Sequence, residues 1–397
     1  MPVDFQQIHA RIVQISARER ERRTDLERRK SEALGSLQAH SDNLGFLQAK
    51  VNTAVNTDPS VRCAVPVKEP LTYSQACPSG VSDATLIAVD GSQINPDRHA
   101  ARQFGVVNAG AVIMKPGSGE VPEICVDTDL LYGEDLETEF GMMSERIIAL
   151  RRDLKEREFF DELSKGFAGT VVTFTDGPLE LWGTGGEEAK EFAAFLEKYK
   201  GVLSRLESRG TVTAGYVDKP TANLVVRLLE LASMGENQLT ELQTLRKTHP
   251  FRGVDDVMLF SGDNQPLIFP GHRSAVFKLQ SSSNNIYTGV LSLHFFYLNV
   301  GSLGHPWLVR VEIPQWVAAD PAKLDLLHTV LVAQCGIMGN RPYPYLLHRA
   351  HETAVVRFEE KAQVEQMLTL ELNRQGERMP EKSHKQTAKD LPRRKSI

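Results

Sequence analysis

Two stretches of this chain end an apolar run on an aspartate followed by a glycine: Leu86-Ile87-Ala88-Val89-Asp90-Gly91-Ser92 and Val171-Val172-Thr173-Phe174-Thr175-Asp176-Gly177. Each reads as a short buried strand running into a tight turn that the glycine permits. An Asp-Gly pair after a strand is often only a turn. Two of them, each after an apolar strand, are expected to bring two carboxylates to one place, where they repel unless a cation lies between them. A hard divalent ion accepts such oxygens, activates water and stabilises the attacking and leaving oxygens of a phosphodiester. A third carboxylate is expected from the helix packed on the sheet, and Glu156 and Glu158 are the candidates. Two residues apart on a helix, they do not face the same ion; the spacing to Asp176 favours Glu158.

Further along, Tyr343-Pro344-Tyr345-Leu346-Leu347-His348-Arg349-Ala350-His351-Glu352 reads as a helix start rich in polar groups. His351 there is suited to ligate a metal or to pass a proton to a leaving oxygen; the plainer reading is a helix end with incidental polar residues. Arg98 and His99, shortly after the Asp90 turn, and Lys219, just after Tyr216-Val217, are candidates to hold phosphates. Arg310 and Glu312 alternate with Val309, Val311 and Ile313 and read as an ion-paired strand surface.

The elements that must position these residues alternate between the two periodicities. Residues 3 to about 57 read as a helical hairpin or coiled-coil arm, with Ile8, Ile12 and Ile15 at helical spacing and a dense mixture of charges from Arg18 to Lys30. Residues 58–80, with four prolines, read as a connector. Gln103–Met114 reads as a strand pair, and Glu120–Val126 as a strand followed by Asp127 and Asp129. Helices are expected over Ser144–Leu163, Glu187–Ser208, Asn223–Met234, Ala322–Cys335 and Arg349–Leu372, and strands over Thr211–Val217, Thr288–Val300 and Trp307–Ile313. The pattern weakens over 235–277, which reads as a loop-rich insertion. Strand and helix alternate, so the fold class is α/β: a mixed sheet flanked by helices. The expected organisation is an N-terminal arm and connector over 1–80, a main domain over 81–372, and a polar, disordered tail over 373–397.

Composition excludes several functions. The 397 residues are 41% hydrophobic and 24% charged with a net charge of −5, so a nucleic-acid partner must be met by local positive charge. The four cysteines, Cys63, Cys77, Cys125 and Cys335, form no CxxC pair and no disulfide framework. No apolar run approaches the roughly 18 residues of a membrane span, and the N-terminus lacks a signal-peptide pattern, so the expected location is the cytoplasm. There is no GxGxxG after a strand, no GxxxxGK[ST] and no GxSxG elbow. An ATP-driven process would therefore need a partner to supply the motor.

The ordered set AVDGSQINPDRH (88–99), TFTDGPLELWG (173–183), GYVDKP (215–220), RVEIPQW (310–316) and YPYLLHRAHE (343–352) resembles the NurA nuclease family over roughly residues 80–370. The resemblance implies a ribonuclease H-like core with added helices. It implies cutting of single-stranded DNA and degradation of DNA ends, chiefly 5′ to 3′, with manganese or magnesium. It also implies a homodimer working with a HerA-type hexameric translocase in end resection and double-strand break repair. On this pattern the metal-binding and catalytic positions fall on Asp90, Asp176, Glu158 (or Glu156) and His351. The competing readings are a non-catalytic translocase adaptor with a degenerate site and a metal-dependent phosphatase acting on small molecules.

Overall fold

The computed structural model describes residues 3–80, 83–98, 100, 102–139, 141–181, 188–262 and 264–377. His99, Trp182, Gly183 and the tail from 378 onward lie outside these. The chain divides into two compact units, one of residues 80–214 and 343–397, the other of 1–79 and 215–342. The partition into arm, main domain and tail follows the motifs; the units are not sequential, because the arm shares its unit with 215–342.

The unit carrying the two Asp-Gly pairs begins with an antiparallel meander of β1 (Thr85–Ile94), β2 (Phe104–Met114) and β3 (Glu123–Tyr132). Helix α1 (Glu145–Ser164) leads to β4 (Val171–Asp176), which pairs parallel with β1, and α2 (Ala189–Ser208) leads to β5 (Val212–Val217) beside β4. The chain returns to this unit as α3 (Tyr345–Ala354) and α4 (Phe358–Arg374). The strand order is β3-β2-β1-β4-β5, the mixed sheet flanked by helices expected of a ribonuclease H-like core.

Strand alternation fixes which helix covers which face. Asp90 pairs with Gly110 and Gly91 with Ala109. Gly110 backs onto Thr353 and Ala354 of α3, and Gly91 onto Arg152 and Glu156 of α1, so the two helices lie on opposite faces. β2 is buried along nearly its whole length, as a strand covered on both sides must be. Ser144 caps α1, its Oγ accepting from the Ile147 N–H at 3.3 Å. The α1–α2 contact is partly ionic: Arg205 donates to Asp161 at 2.8 Å, Arg209 pairs with the same carboxylate, and Arg157 donates to the Tyr199 hydroxyl at 3.1 Å.

Several local expectations change. β1 does not end at Asp90 but continues against β2 to Ile94. Gln103–Met114 is one strand, and Asp127 and Asp129 lie inside β3 rather than after it. The expected 349–372 helix is two helices, broken over Val355–Arg357. The break is built by side chains from elsewhere: Ser92 Oγ and Asn108 Nδ2 donate to the Ala354 carbonyl at 2.5 and 2.7 Å, and Ser92 Oγ accepts from the Val356 N–H at 3.2 Å.

The other unit holds the helices Phe5–Ala39 and Leu44–Thr57 and an antiparallel run of strands in the order Cys63–Pro66, Phe277–Gln280, Leu293–Asn299, Leu308–Pro314 and Gly215–Val217. Along the first helix, Phe5, Ile8, Ile12 and Ile15 are exposed. Arg310 and Glu312 are not a surface pair; both are buried, with Arg310 Nη2 2.8 Å from Glu312 Oε1. The weakly patterned 235–277 stretch holds three short helices and one structural anchor. From it, buried Asp256 accepts from the N–H groups of Val225 and Val226, capping the Leu224–Ser233 helix, and from the Tyr297 hydroxyl at 2.6 Å. No helix among the described residues is long and apolar enough to cross a membrane.

Two histidines of this unit make its stability acid-sensitive. His328 is fully buried with Nε2 2.7 Å from the Gly271 carbonyl, and His294 Nδ1 is 3.1 Å from the Ser292 carbonyl. Burial pulls each pKa down from 6.5 to about 4. Between those values the unfolded chain binds a proton that the folded chain refuses. The stability is therefore fully present above pH 6.5 and lost as pH falls toward 4. Unfolding in urea at pH 7 and pH 5 is expected to show a loss of about 2 kcal/mol per histidine. The His294→Gln/His328→Gln double variant should lose clearly less over the same interval; an unchanged pH dependence contradicts the assignment.

Candidate active site

The β1–β4 ladder runs from Thr85↔Val171 to Val89↔Thr175. The next position on each strand is an aspartate, Asp90 and Asp176, on neighbouring strands about 4.8 Å apart. Their glycines do different work. Gly177 has φ +94°, the left-handed conformation that turns the chain away after Asp176. Gly91 stays in the strand, and its lack of a side chain matters for space: a Cβ there would lie 2.5 Å from Glu156 Oε1 and 2.6 Å from Arg152 Cγ. The glycine lets an α1 carboxylate lie directly over β1.

That carboxylate belongs to Glu156. It is buried, its Oε2 accepts from Thr175 Oγ1 at 3.2 Å, and its Oε1 is 3.6 Å from Arg152 Nε. Burial raises its pKa from 4.5 to about 8. Arg157 and Arg152 oppose the rise, while the negative charges of Asp153 and Asp90 add to it. Glu158 is exposed on the other side of the helix. The preference for Glu158 thus gives way to Glu156, because helical geometry turns residues two apart in different directions.

From the opposite face, α3 brings His351 to Asp90. His351 Nδ1 and Asp90 Oδ2 are 2.7 Å apart, and Asp90 Oδ1 accepts from the Gly91 N–H at 2.9 Å. A carboxylate only accepts, so Nδ1–H is the donor and Nε2 is left for other partners. The His351 side chain is 63% exposed and that of Asp90 18%, so the pair opens to solvent. An open concavity lined by Arg349, His351, Glu352, Val355 and Arg357 adjoins it.

The structure thus pairs Asp90 with His351, with Asp176 at the adjoining register position, and places Glu156 over Gly91 from the opposite face. It does not bring Arg98 to them: Arg98 is exposed in the turn after β1, in a separate concavity with Asn95, Asp97 and Arg146. Lys219 belongs to the other unit, where it is exposed with a left-handed φ of 47°. Asp127 and Asp129 are committed to buried Lys155, 2.7 and 3.0 Å from its Nζ. Among the described residues, no three His, Cys, Asp or Glu side chains are gathered closely enough to hold a metal ion as they stand. Sequence reasoning missed Arg152, which the four-residue spacing to Glu156 places on the same helical face. It also missed Gly110, whose neighbours come from a segment more than two hundred residues away.

The donor set is chemically suited to a divalent cation. It offers carboxylate oxygens and one imidazole, and one of its carboxyls is kept protonated near neutrality by burial and by like charge, a state that an added positive charge reverses.

The NurA domain model matches residues 84–356. Among solved structures, the NurA nuclease from Sulfolobus solfataricus is 12% identical, with a TM-score of 0.48, over 93% of this chain and 98% of that one. Endonuclease V from Ciona intestinalis with inosine-containing DNA is 9% identical, with a TM-score of 0.30, over 72% of this chain and 87% of that one. The catalytic domain of human Endonuclease V is 13% identical, with a TM-score of 0.29, over 72% and 85%. No curated protein matches the sequence.

Proposed function

This chain belongs to the NurA family of nucleases, and from that premise we propose that it is a metal-dependent deoxyribonuclease. The observation that carries the proposal is the His351–Asp90 pair, with Asp176 at the next strand end and the buried Glu156 carboxyl over the neighbouring Gly91. In the proposed reaction water attacks the phosphorus and the bond to the leaving oxygen breaks. Bound manganese, or magnesium, supplies charge neutralisation and an acidified water. Asp90, Glu156 and Asp176 offer oxygens to the ion, and His351 a nitrogen. Asp90 also orients the imidazole through Nδ1, so the remaining nitrogen, Nε2, serves one of two roles: it would hold the ion, or it accepts a proton from water and returns one to the leaving oxygen. The substrates proposed are single-stranded DNA and DNA ends, cut endonucleolytically and in the 5′ to 3′ direction. The proposed assembly is a homodimer with a HerA-type translocase in end resection. Cytoplasmic location belongs to the same reading.

The absence of a preassembled three-ligand group among the described residues favours one other reading, a non-catalytic translocase adaptor. Two substitutions separate them. With labelled single-stranded DNA and manganese, Glu156→Gln is expected to slow cleavage by about a hundredfold, the scale of one lost charge-stabilising ligand, while Glu158→Gln stays within about twofold. No manganese-dependent cleavage by the unaltered protein supports the adaptor; equal effects of the two substitutions overturn the choice of Glu156.

A further inference from the structure

The strand that carries Asp90 also holds the chain where α3 ends. Asp90 and Ser92 point to the same face of β1, because side chains alternate along a strand. Asp90 meets His351 at 2.7 Å. Ser92 Oγ meets the chain again just past the helix, donating to the Ala354 carbonyl and accepting from the Val356 N–H at 3.2 Å. Asn108 on β2 donates to the same carbonyl at 2.7 Å. The next residue is Arg357. Its own N–H donates to Glu360 Oε2 at 2.6 Å, at the start of α4, so its backbone is held on both sides. Its guanidinium is exposed and has no acidic partner among the described residues. His351, Val355 and Arg357 line one open concavity of about 430 Å³. The other arginine of that lining, Arg349, is paired with Glu352.

A chain with a net charge of −5 must meet a polyanion with local positive charge. The planar fork of a guanidinium matches phosphate oxygens. We propose that Arg357 holds a phosphate of the bound strand that flanks the one cut beside Asp90 and His351, and that Ser92 is the residue that positions it. One strand then carries both the acid and the anchor, so the arginine keeps its place relative to His351 although the helix between them stops. A flanking phosphate changes little as the scissile bond breaks. The contact therefore acts on KM and leaves kcat nearly alone. This inference rests on the proposed nuclease activity.

The test is steady-state cleavage of a labelled single-stranded oligonucleotide by the full chain in manganese, at several salt concentrations, with circular dichroism to confirm that each variant is folded. Arg357→Gln is expected to raise KM about tenfold with kcat within about twofold, and to reduce the salt slope of binding by about one. Arg357→Lys keeps the charge and should keep the slope. Lys198→Gln removes an exposed charge from α2, which packs on α1 at the other face of the sheet, and should leave KM within about twofold. Ser92→Ala should raise KM as well, but in the double variant with Arg357→Gln the two increases should not multiply, since both act through one contact. Increases that multiply overturn the positioning role of Ser92. A KM for Arg357→Gln no higher than that of Lys198→Gln, or a loss confined to kcat, overturns the phosphate contact while leaving the nuclease standing. No cleavage by the unaltered protein overturns the nuclease activity and this inference with it.

Discussion

Asp90→Asn is expected to reduce manganese-dependent cleavage of single-stranded DNA by about a thousandfold or more, with folding and DNA binding retained. The substitution changes charge and almost nothing else. An asparagine oxygen still accepts from the Gly91 N–H, which Asp90 Oδ1 engages at 2.9 Å, and the strand pairing to Gly110 is unaffected. What disappears is the anion that faces His351 at 2.7 Å and reinforces the protonated state of Glu156. Without it the imidazole loses its orienting partner and the proposed ion loses a ligand. The measurement is a cleavage time course in manganese, with a thermal melt and oligonucleotide binding as controls. Cleavage at the unaltered rate by a folded Asp90→Asn protein refutes the site.

The second large effect is structural and lies at Gly110. A Cβ there would stand 2.5 Å from the Ala354 nitrogen, 2.8 Å from the Thr353 carbonyl carbon and 2.9 Å from the Ala354 Cα. All three are backbone atoms, so no side chain can swing away to make room. Gly110→Val is expected to cost about 3 kcal/mol, the upper range for overpacking. It should also abolish cleavage, because α3 can seat only by withdrawing His351 from Asp90. Gly169→Ala is the control: it lies in the same unit with nothing within 4 Å, and its stability should stay within about half a kcal/mol of the original. Denaturation of the two variants in urea measures the difference, and a Gly110→Val protein as stable as the control shows that α3 is not held by this contact.

Glu156 links the site to pH. Its raised pKa means that, without metal, ionising it costs the folded state. Through this group, stability falls as pH rises from the unfolded value of 4.5 toward about 8. This is the opposite sense to His294 and His328, whose contribution is lost on acidification. The two trends belong to separate units and therefore to separate sets of contacts.

Much of this was legible in the residue order. Apolar runs with β-branched members marked β1 and β4, and Ser144 followed by Ile147, Ile148 and Leu150 marked α1. These signals are local: period-two and period-3.6 patterns of apolar residues act within a dozen residues. The ordered motifs, read together, identified the family. The likeness of the two Asp-Gly pairs misled, because a glycine required for a left-handed turn and a glycine required for empty space are the same letter. Only their neighbours separate Gly177 from Gly91.

By itself, then, the sequence determined the α/β alternation, the candidate acids and the late histidine, because each depends on short-range pattern or residue chemistry. The tertiary structure decided that Glu156 rather than Glu158 is buried over Gly91, next to Arg152, and that Ser92 and Asn108 break the last helical stretch after Ala354. Those outcomes depend on the phase of a helix against a sheet and on contacts between residues as much as 264 positions apart. Only packing sets such a phase, since a rotation of two residues, about 200° about the helix axis, exchanges the buried carboxylate for the solvated one.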